Sequence, residues 1–158
     1  MNSPLPVPLA TLEEPTRLIL ESYQRWFGSD LVEADAPERA TAALFEAPCV
    51  VLASRGQPGG DSAFCYANRA ALELFETPWE QIVGMPSSRS AEAEHRAERR
   101  RLLDEVDRHG FIENYSGIRI SRTGRRFRIL HARVFNLLDG AGNYAGQAAV
   151  FADWEPIN

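Results

Sequence analysis

"FRILHARVFN", Phe127 to Asn136, is read with a period of two, which puts Phe127, Ile129, His131, Arg133 and Phe135 on one face of a strand. An imidazole and a guanidinium therefore interrupt an apolar row. Minimal turns stand on either side. "GFIENYSGIRIS" runs into the turn "RTG" before this strand, and "DGAGN" leads out of it into "YAGQAAVFADW". Strand, turn, strand, turn, strand is an antiparallel meander.

Upstream, "CVVLAS" is a β-branched run suited to a central strand, "RGQPGGDS" a loop, and "AFCYA" the returning strand of a hairpin. Helical signals fill the space between hairpin and meander. Asn68 can cap "RAALELFE", and Thr77, Pro78 and Glu80 specify "TPWEQIV", closed by Gly84. An amphipathic helix follows from about Ser90 to His109, with Ala91, His95, Leu102 and Val106 near one stripe. At the start, residues 1–10 carry three prolines and read as a disordered tail. Thr11 and Glu14 make a capping box for a helix whose stripe is Leu12, Ile19, Tyr23 and Trp26, ending at Gly28. Asp35 and Glu38 around Pro37 open a second helix through about Phe45. The fold class is α+β: a five-stranded antiparallel sheet with helices inserted between strands 2 and 3, plus an N-terminal flanking helix.

The chain has 158 residues, 44% hydrophobic and 25% charged, which is enough for one real core. A formal charge of −5 argues against a nucleic-acid surface, and the basic run "HRAERRR" is surrounded by acids that make it a solvated helix face. No apolar run approaches a membrane span and no leader is visible, so a cytoplasmic location is expected. Cys49 and Cys65 have neither metal-site spacing nor disulfide density and read as free thiols.

The order of elements, "NRAALELFE", "TPWEQIVGMPS", "RTGRRFRI" and "GNYAGQAAVFADW" resemble a PAS domain. More narrowly, "ALFEAPCVVLAS", "YANRAALELFE", "NYSGIRIS" and "FNLLDGAGNYAGQAAVFADWEP" resemble the MEKHLA family of PAS-like domains, over about residues 12–156. In plants that module closes class III homeodomain-leucine-zipper transcription factors, and in bacteria it can stand alone. The expected division is a tail at 1–10, flanking helix and connector at 11–36, and a PAS-like MEKHLA domain at 37–158. The resemblance implies a sensory or protein-interaction module with a cavity between sheet and helices. It also implies a homodimer through the N-terminal helix or the sheet face.

No P-loop, nucleophile elbow, HExxH, CxxC or dinucleotide fingerprint is present, so no enzyme and no catalytic residue is expected. Light-sensing, flavin-binding PAS proteins carry a reactive cysteine shortly after the glycine that matches Gly84. Ser87 stands there instead, and a hydroxyl cannot form the flavin thioether adduct. Haem-binding PAS relatives ligate iron from the long helix, where His95 is the matching candidate. No cofactor and no metal is expected from the residues themselves.

The register of the "RTG" hairpin puts Tyr115, Gly117, Arg119 and Ser121 on the helix-facing side together with Phe127, Ile129, His131, Arg133 and Phe135, joined by Gln147 and Phe151 from the last strand. Buried cations need carboxylates, water or an anionic ligand. One reading pairs the arginines with Glu113, Asp153 or helix carboxylates. The other lets them orient a small polar or anionic ligand between aromatic walls from Phe64, Tyr66, Trp79 and Phe151. A third possibility is an enzyme with His131 as general base beside Arg119 or Arg133.

Overall fold

The computed structural model describes residues 4–57 and 62–158, so the middle of the expected glycine-rich loop lies outside the described residues. The chain runs α1 (Leu9–Phe27), α2 (Pro37–Phe45), β1 (Val50–Gly56), β2 (Ser62–Ala67), α3 (Arg69–Leu74) and α4 (Trp79–Ile82). A 3₁₀ turn (Ser87–Ser90) leads to α5 (Ala93–His109), β3 (Phe111–Ile120), β4 (Arg126–Leu138), β5 (Tyr144–Phe151) and β6 (Asp153–Ile157). Every strand pairing is antiparallel, in the spatial order β2-β1-β5-β4-β3. β5 pairs with the second half of β4 and β6 with its first half, so the expected last strand is one path in two pieces.

Both faces of the sheet are covered. Inside, against α3 to α5, an apolar cluster includes Leu52, Phe64, Phe75, Ile82, Val106, Phe127, Ile129, Val134 and Phe151. Outside, α1 and α2 bury Leu12, Ile19, Tyr23, Leu44 and Phe45 against Val51, Tyr66, Phe135 and Leu137. Trp26 Nε1 donates to the Asn136 carbonyl at 2.8 Å and fixes the rotation of α1 over β4. The apolar stripe of α1 is thus covered within the chain, which removes the sequence argument that it needs a second copy to bury it. Among the described residues no helix is long and apolar enough to cross a membrane.

Helix starts differ from the capping reading. α1 begins at Leu9 with Pro8 before it and no side-chain cap, so the Thr11–Glu14 box is not made, and Glu14 pairs with Arg55 instead. Leu5 and Val7 pack on the outer cluster, so the expected tail at 1–10 is ordered from within its first half. Asp35 bonds Arg39 at 2.6 Å rather than capping α2, which starts with Pro37 at its first position. Asn68 does cap: its Oδ1 accepts from Ala71 N at 3.1 Å and Val51 N at 3.0 Å, while Nδ2 donates to the carbonyls of Leu44 and Cys49. One buried amide therefore ties α3 to β1 and the end of α2.

Bulges decide which side chains reach which face. Between Ile112 and Tyr115 β3 carries one extra residue, and between Tyr115 and Gly117 β4 carries one. Asn114, at φ 61°, and His131, at φ 53°, occupy these positions, and both residue types tolerate the left-handed region better than most. Beyond His131 the alternation restarts. Phe127 and Ile129 join Ala132 and Val134 in the inner cluster, whereas Phe135 and Leu137 face α1. The row Phe127, Ile129, His131, Arg133, Phe135 is therefore split between faces, correcting the strict period-two reading. β2 repeats the device: Phe64 lies opposite Ser54 and Tyr66 opposite Ala53, so Cys65 is the extra residue. Phe64 turns inward and Tyr66 outward.

Candidate ligand-binding site

A cavity of about 70 Å³ lies between the inner sheet face and the helices. Its wall is mostly apolar, from Leu52, Phe64, Phe75, Ile129, Val134 and Phe151, with Ser54, Ser90 and Gln147 interspersed. Two arginines line it, Arg119 from β3 and Arg99 from α5, and among the described residues no carboxylate does.

Arg119 is 8% exposed and sits at the hairpin register that the sequence gives, opposite Phe127. Its Nη1 donates to the Ile118 carbonyl and its Nη2 to the Tyr115 hydroxyl, both at 2.8 Å. The guanidinium carbon lies 5.6 Å from the centre of the Tyr115 ring, a cation–π contact. Gly117 leaves the notch for this pair: a Cβ there would stand 2.1 Å from the Tyr115 hydroxyl and 3.0 Å from Arg119 Nη1.

Arg99 is 9% exposed, and among the described residues it has neither a hydrogen bond nor a carboxylate partner. Burial, then the positive charges of Arg119 and Arg100, pull its pKa down to about 10, with Tyr115 acting weakly the other way. It is still a cation at neutral pH, held where a cation is expensive. Beside it Gln147 Nε2 donates to Leu103 O at 3.1 Å, Asp107 Oδ1 at 2.8 Å and Asn136 Oδ1 at 3.3 Å. This network locks β5 to α5 and holds the two sides of the cavity at fixed separation.

Of the candidate residues, the cavity brings together Phe64, Tyr115, Arg119, Gln147 and Phe151. Six lie elsewhere. Tyr66 and Trp79 meet edge to face at 5.9 Å in the outer cluster, because the Cys65 bulge turns Tyr66 away. Phe135 packs on Tyr23 and Phe27 beneath α1. Arg133 is on that same side, donating to the Tyr23 hydroxyl at 2.6 Å, 3.6 Å from Glu113 and stacked over Phe27 at 4.6 Å. Its pairing with Glu113 is the one the first reading named. His131 is exposed, with Nδ1 2.8 Å from Asn114 Oδ1. His95 is half-buried near the start of α5, 3.6 Å from Glu94 and outside the cavity lining.

Arg99 lies within the run "HRAERRR", whose surrounding acids mark a solvated face. Its signal is spacing: Arg99, Leu103 and Val106, at i, i+4 and i+7, are the buried stripe of α5. The expected stripe of Ala91, His95, Leu102 and Val106 is rotated from it, with Leu102 only half-buried.

The cavity volume is well below the roughly 300 Å³ at which pockets for larger ligands begin, and neither Cys49 nor Cys65 lines it to form a flavin adduct. Among the described residues Glu92, Glu94 and His95 place three potential ligand atoms within 4.8 Å, but the Glu92 carboxylate is held by Arg126 at 2.8 Å. A surface groove of about 240 Å³ shares Phe75 and Ser90 with the cavity and carries the exposed Arg89 and Arg122.

An antiparallel sheet in the order 2-1-5-4-3, with its helices between the second and third strands, defines a PAS-like domain. The MEKHLA domain model matches residues 13–156, and the chain belongs to that family. Solved structures agree on the fold. A PAS domain from Colwellia psychrerythraea superposes with a TM-score of 0.61 at 12% identity, over 78% of this chain and 98% of that one. A light-oxygen-voltage domain studied with a flavin analogue gives 0.58 at 17% identity, over 76% and 85%. An RNA-binding light-oxygen-voltage receptor gives 0.62 at 17%, over 77% of this chain but 34% of its own. No curated protein matches the chain.

Proposed function

We propose that this PAS-like domain is a sensory module whose sheet–helix cavity takes a small anionic ligand without transforming it. The observation that carries the reading is the pair Arg99 and Arg119, both about nine-tenths buried in a cavity that no carboxylate lines among the described residues. A bound anion would supply the missing charge in a region of weak screening. The exposed Arg89 and Arg122 in the adjoining groove give an anion a favourable approach. The enzymatic alternative has less support. His131, its general base, is exposed on the split strand and bonded to an amide, with no carboxylate to orient it.

Melting curves in sodium salts of small anions, against chloride at equal ionic strength, test this reading. A ligand at ten times its Kd raises Tm by about 3–6 °C in a domain of this size. Wild type should respond and Arg119→Met should respond much less. Equal shifts in both would remove Arg119 from the site, and no shift with any anion would overturn the reading.

A further inference from the structure

We infer that the ligand is a short unbranched monocarboxylate, of about two to four carbons, with its carboxylate on the Arg99 fork and its alkyl end on the wall of Phe64, Ile129 and Phe151. This rests on the reading of the cavity as an anion site, and it adds which anion and which residue receives it.

Free donors distinguish the two guanidinium groups. Arg119 has two of its N–H groups committed, to Ile118 O and to the Tyr115 hydroxyl. Arg99 has five N–H donors and, among the described residues, no hydrogen bond. Arg99 is the open receptor, while Arg119 and Tyr115 form a fixed back wall that adds positive potential. A guanidinium offers two parallel N–H groups in a plane, which take a carboxylate bidentately as they would two oxygens of a phosphate, so the choice between the two falls to the rest of the lining.

A phosphate or sulfate needs partners for four oxygens around its whole surface. Here the cations come from α5 and β3, Ser90 Oγ and Gln147 Nε2 already donate within the protein, and Leu52, Phe64, Phe75, Ile129, Val134 and Phe151 offer no polar atom, which leaves Ser54 and the Tyr115 hydroxyl as the remaining polar side chains. An anion charged at one end and apolar at the other leaves fewer groups unsatisfied. A volume of about 70 Å³ suits a molecule of a few non-hydrogen atoms and lies well short of the roughly 300 Å³ of pockets for larger ligands. Ala132 and Ala149 stand in the same wall, and their small side chains leave that room.

Isothermal titration calorimetry at constant ionic strength, with formate, acetate, propionate, butyrate, hexanoate, phosphate and sulfate, tests the inference. Affinity should rise about fourfold per CH₂ from acetate to propionate or butyrate and fall at hexanoate. Arg99→Met should weaken every acid at least tenfold. Arg99→Lys keeps the charge without the fork, so it should bind more weakly than wild type, and it serves as the charged control should the methionine variant fold poorly. Ala132→Val should move the optimum to a shorter acid. Phosphate or sulfate binding as tightly as propionate would overturn the ligand class while leaving the anion site standing. Unchanged acid affinity in Arg99→Met or Arg99→Lys would overturn the role of that fork. No binding of any anion would remove the site itself, and with it the reading on which this inference rests.

Discussion

Asn114 and His131 face each other across the β3–β4 pair, both with positive φ, and the imidazole Nδ1 lies 2.8 Å from the amide oxygen. Each is the extra residue of a bulge, and the two bulges compensate, since one lengthens β3 and the other β4. The hairpin keeps its pairing on both sides while the facing of β4 reverses. Ala132 and Val134 reach the cavity side because of His131, and Arg133 and Phe135 are free to pack under α1.

A β-branched residue at His131 should therefore be harmful although the position is exposed in a strand. His131→Val is expected to destabilise by about 1–3 kcal/mol, because a β-branched side chain is strained in the left-handed region, whereas His131→Gly should be tolerated. Denaturant unfolding of both variants checks this. A valine variant as stable as wild type would mean that the alternation runs through His131 without a bulge.

Gly146 marks the bulge between β4 and β5, at φ 145°. A Cβ there would stand 2.0 Å from the Ser54 carbonyl oxygen in β1. Backbone in the middle of a sheet cannot step aside as a side chain can. Gly146→Ala should cost about 3 kcal/mol or more and leave a smaller fraction folded during expression. Urea midpoints measure it, and a midpoint within error of wild type would contradict the close approach of β5 to β1.

Gly117→Ala should separate stability from binding. Gly117 has no positive φ, so alanine is compatible with its backbone, and the added methyl meets only the ends of Tyr115 and Arg119. The variant should fold, with Tyr115 and Arg119 displaced and anion-induced stabilisation diminished. An unaltered anion response would show that the Tyr115–Arg119 pair is no part of the site.

Glu76 gives a pH prediction. Hydrogen bonds from the Thr123 and Ser121 hydroxyls, at 2.6 Å and 2.7 Å, and the nearby Arg125 hold its carboxyl below the usual range. A depressed carboxylate pKa contributes stability above the unfolded value near 4.5 and loses it as pH falls through the folded one. Glu76→Gln should melt below wild type at pH 7, with the gap closing below about pH 4. A gap that persists unchanged at pH 3 would mean that packing, not charge, holds the β3–β4 turn.

The succession of elements along the chain was legible because its signals are local: β-branched runs, minimal turns with glycine, and Asn68 ahead of an apolar helix. Gly117, Arg119, Phe127 and Ile129 fell on the expected face because the hairpin is regular from its turn to that point, and Tyr115 followed because the next inserted residue is in β4 and leaves the alternation of β3 intact. Beyond it the reading failed at His131, since one inserted residue in the left-handed region reverses a period-two pattern and leaves no mark in composition. Tyr66 was misplaced for the same reason at Cys65. Arg99 escaped notice because neighbouring acids made its run look solvated, although only Arg99 in that run shares the buried stripe with Leu103 and Val106. The α1 capping box was an adequate local signal outweighed by tertiary contacts. Leu5 and Val7 pack on the core, and the helix starts at Leu9 with Pro8 in place of Thr11 as its N-cap.

The central claim is that Arg99 is a buried cation waiting for an anion. Nitrogen-15 spectra of the arginine Nε–H groups, assigned with Arg99→Met and Arg119→Met, read that group directly. Titration with propionate at constant ionic strength should move the Arg99 resonance most and slow its exchange with water, with a smaller change at Arg119 and none at the surface Arg39. Shifts spread evenly over exposed arginines, with the Arg99 resonance unmoved, would contradict the account.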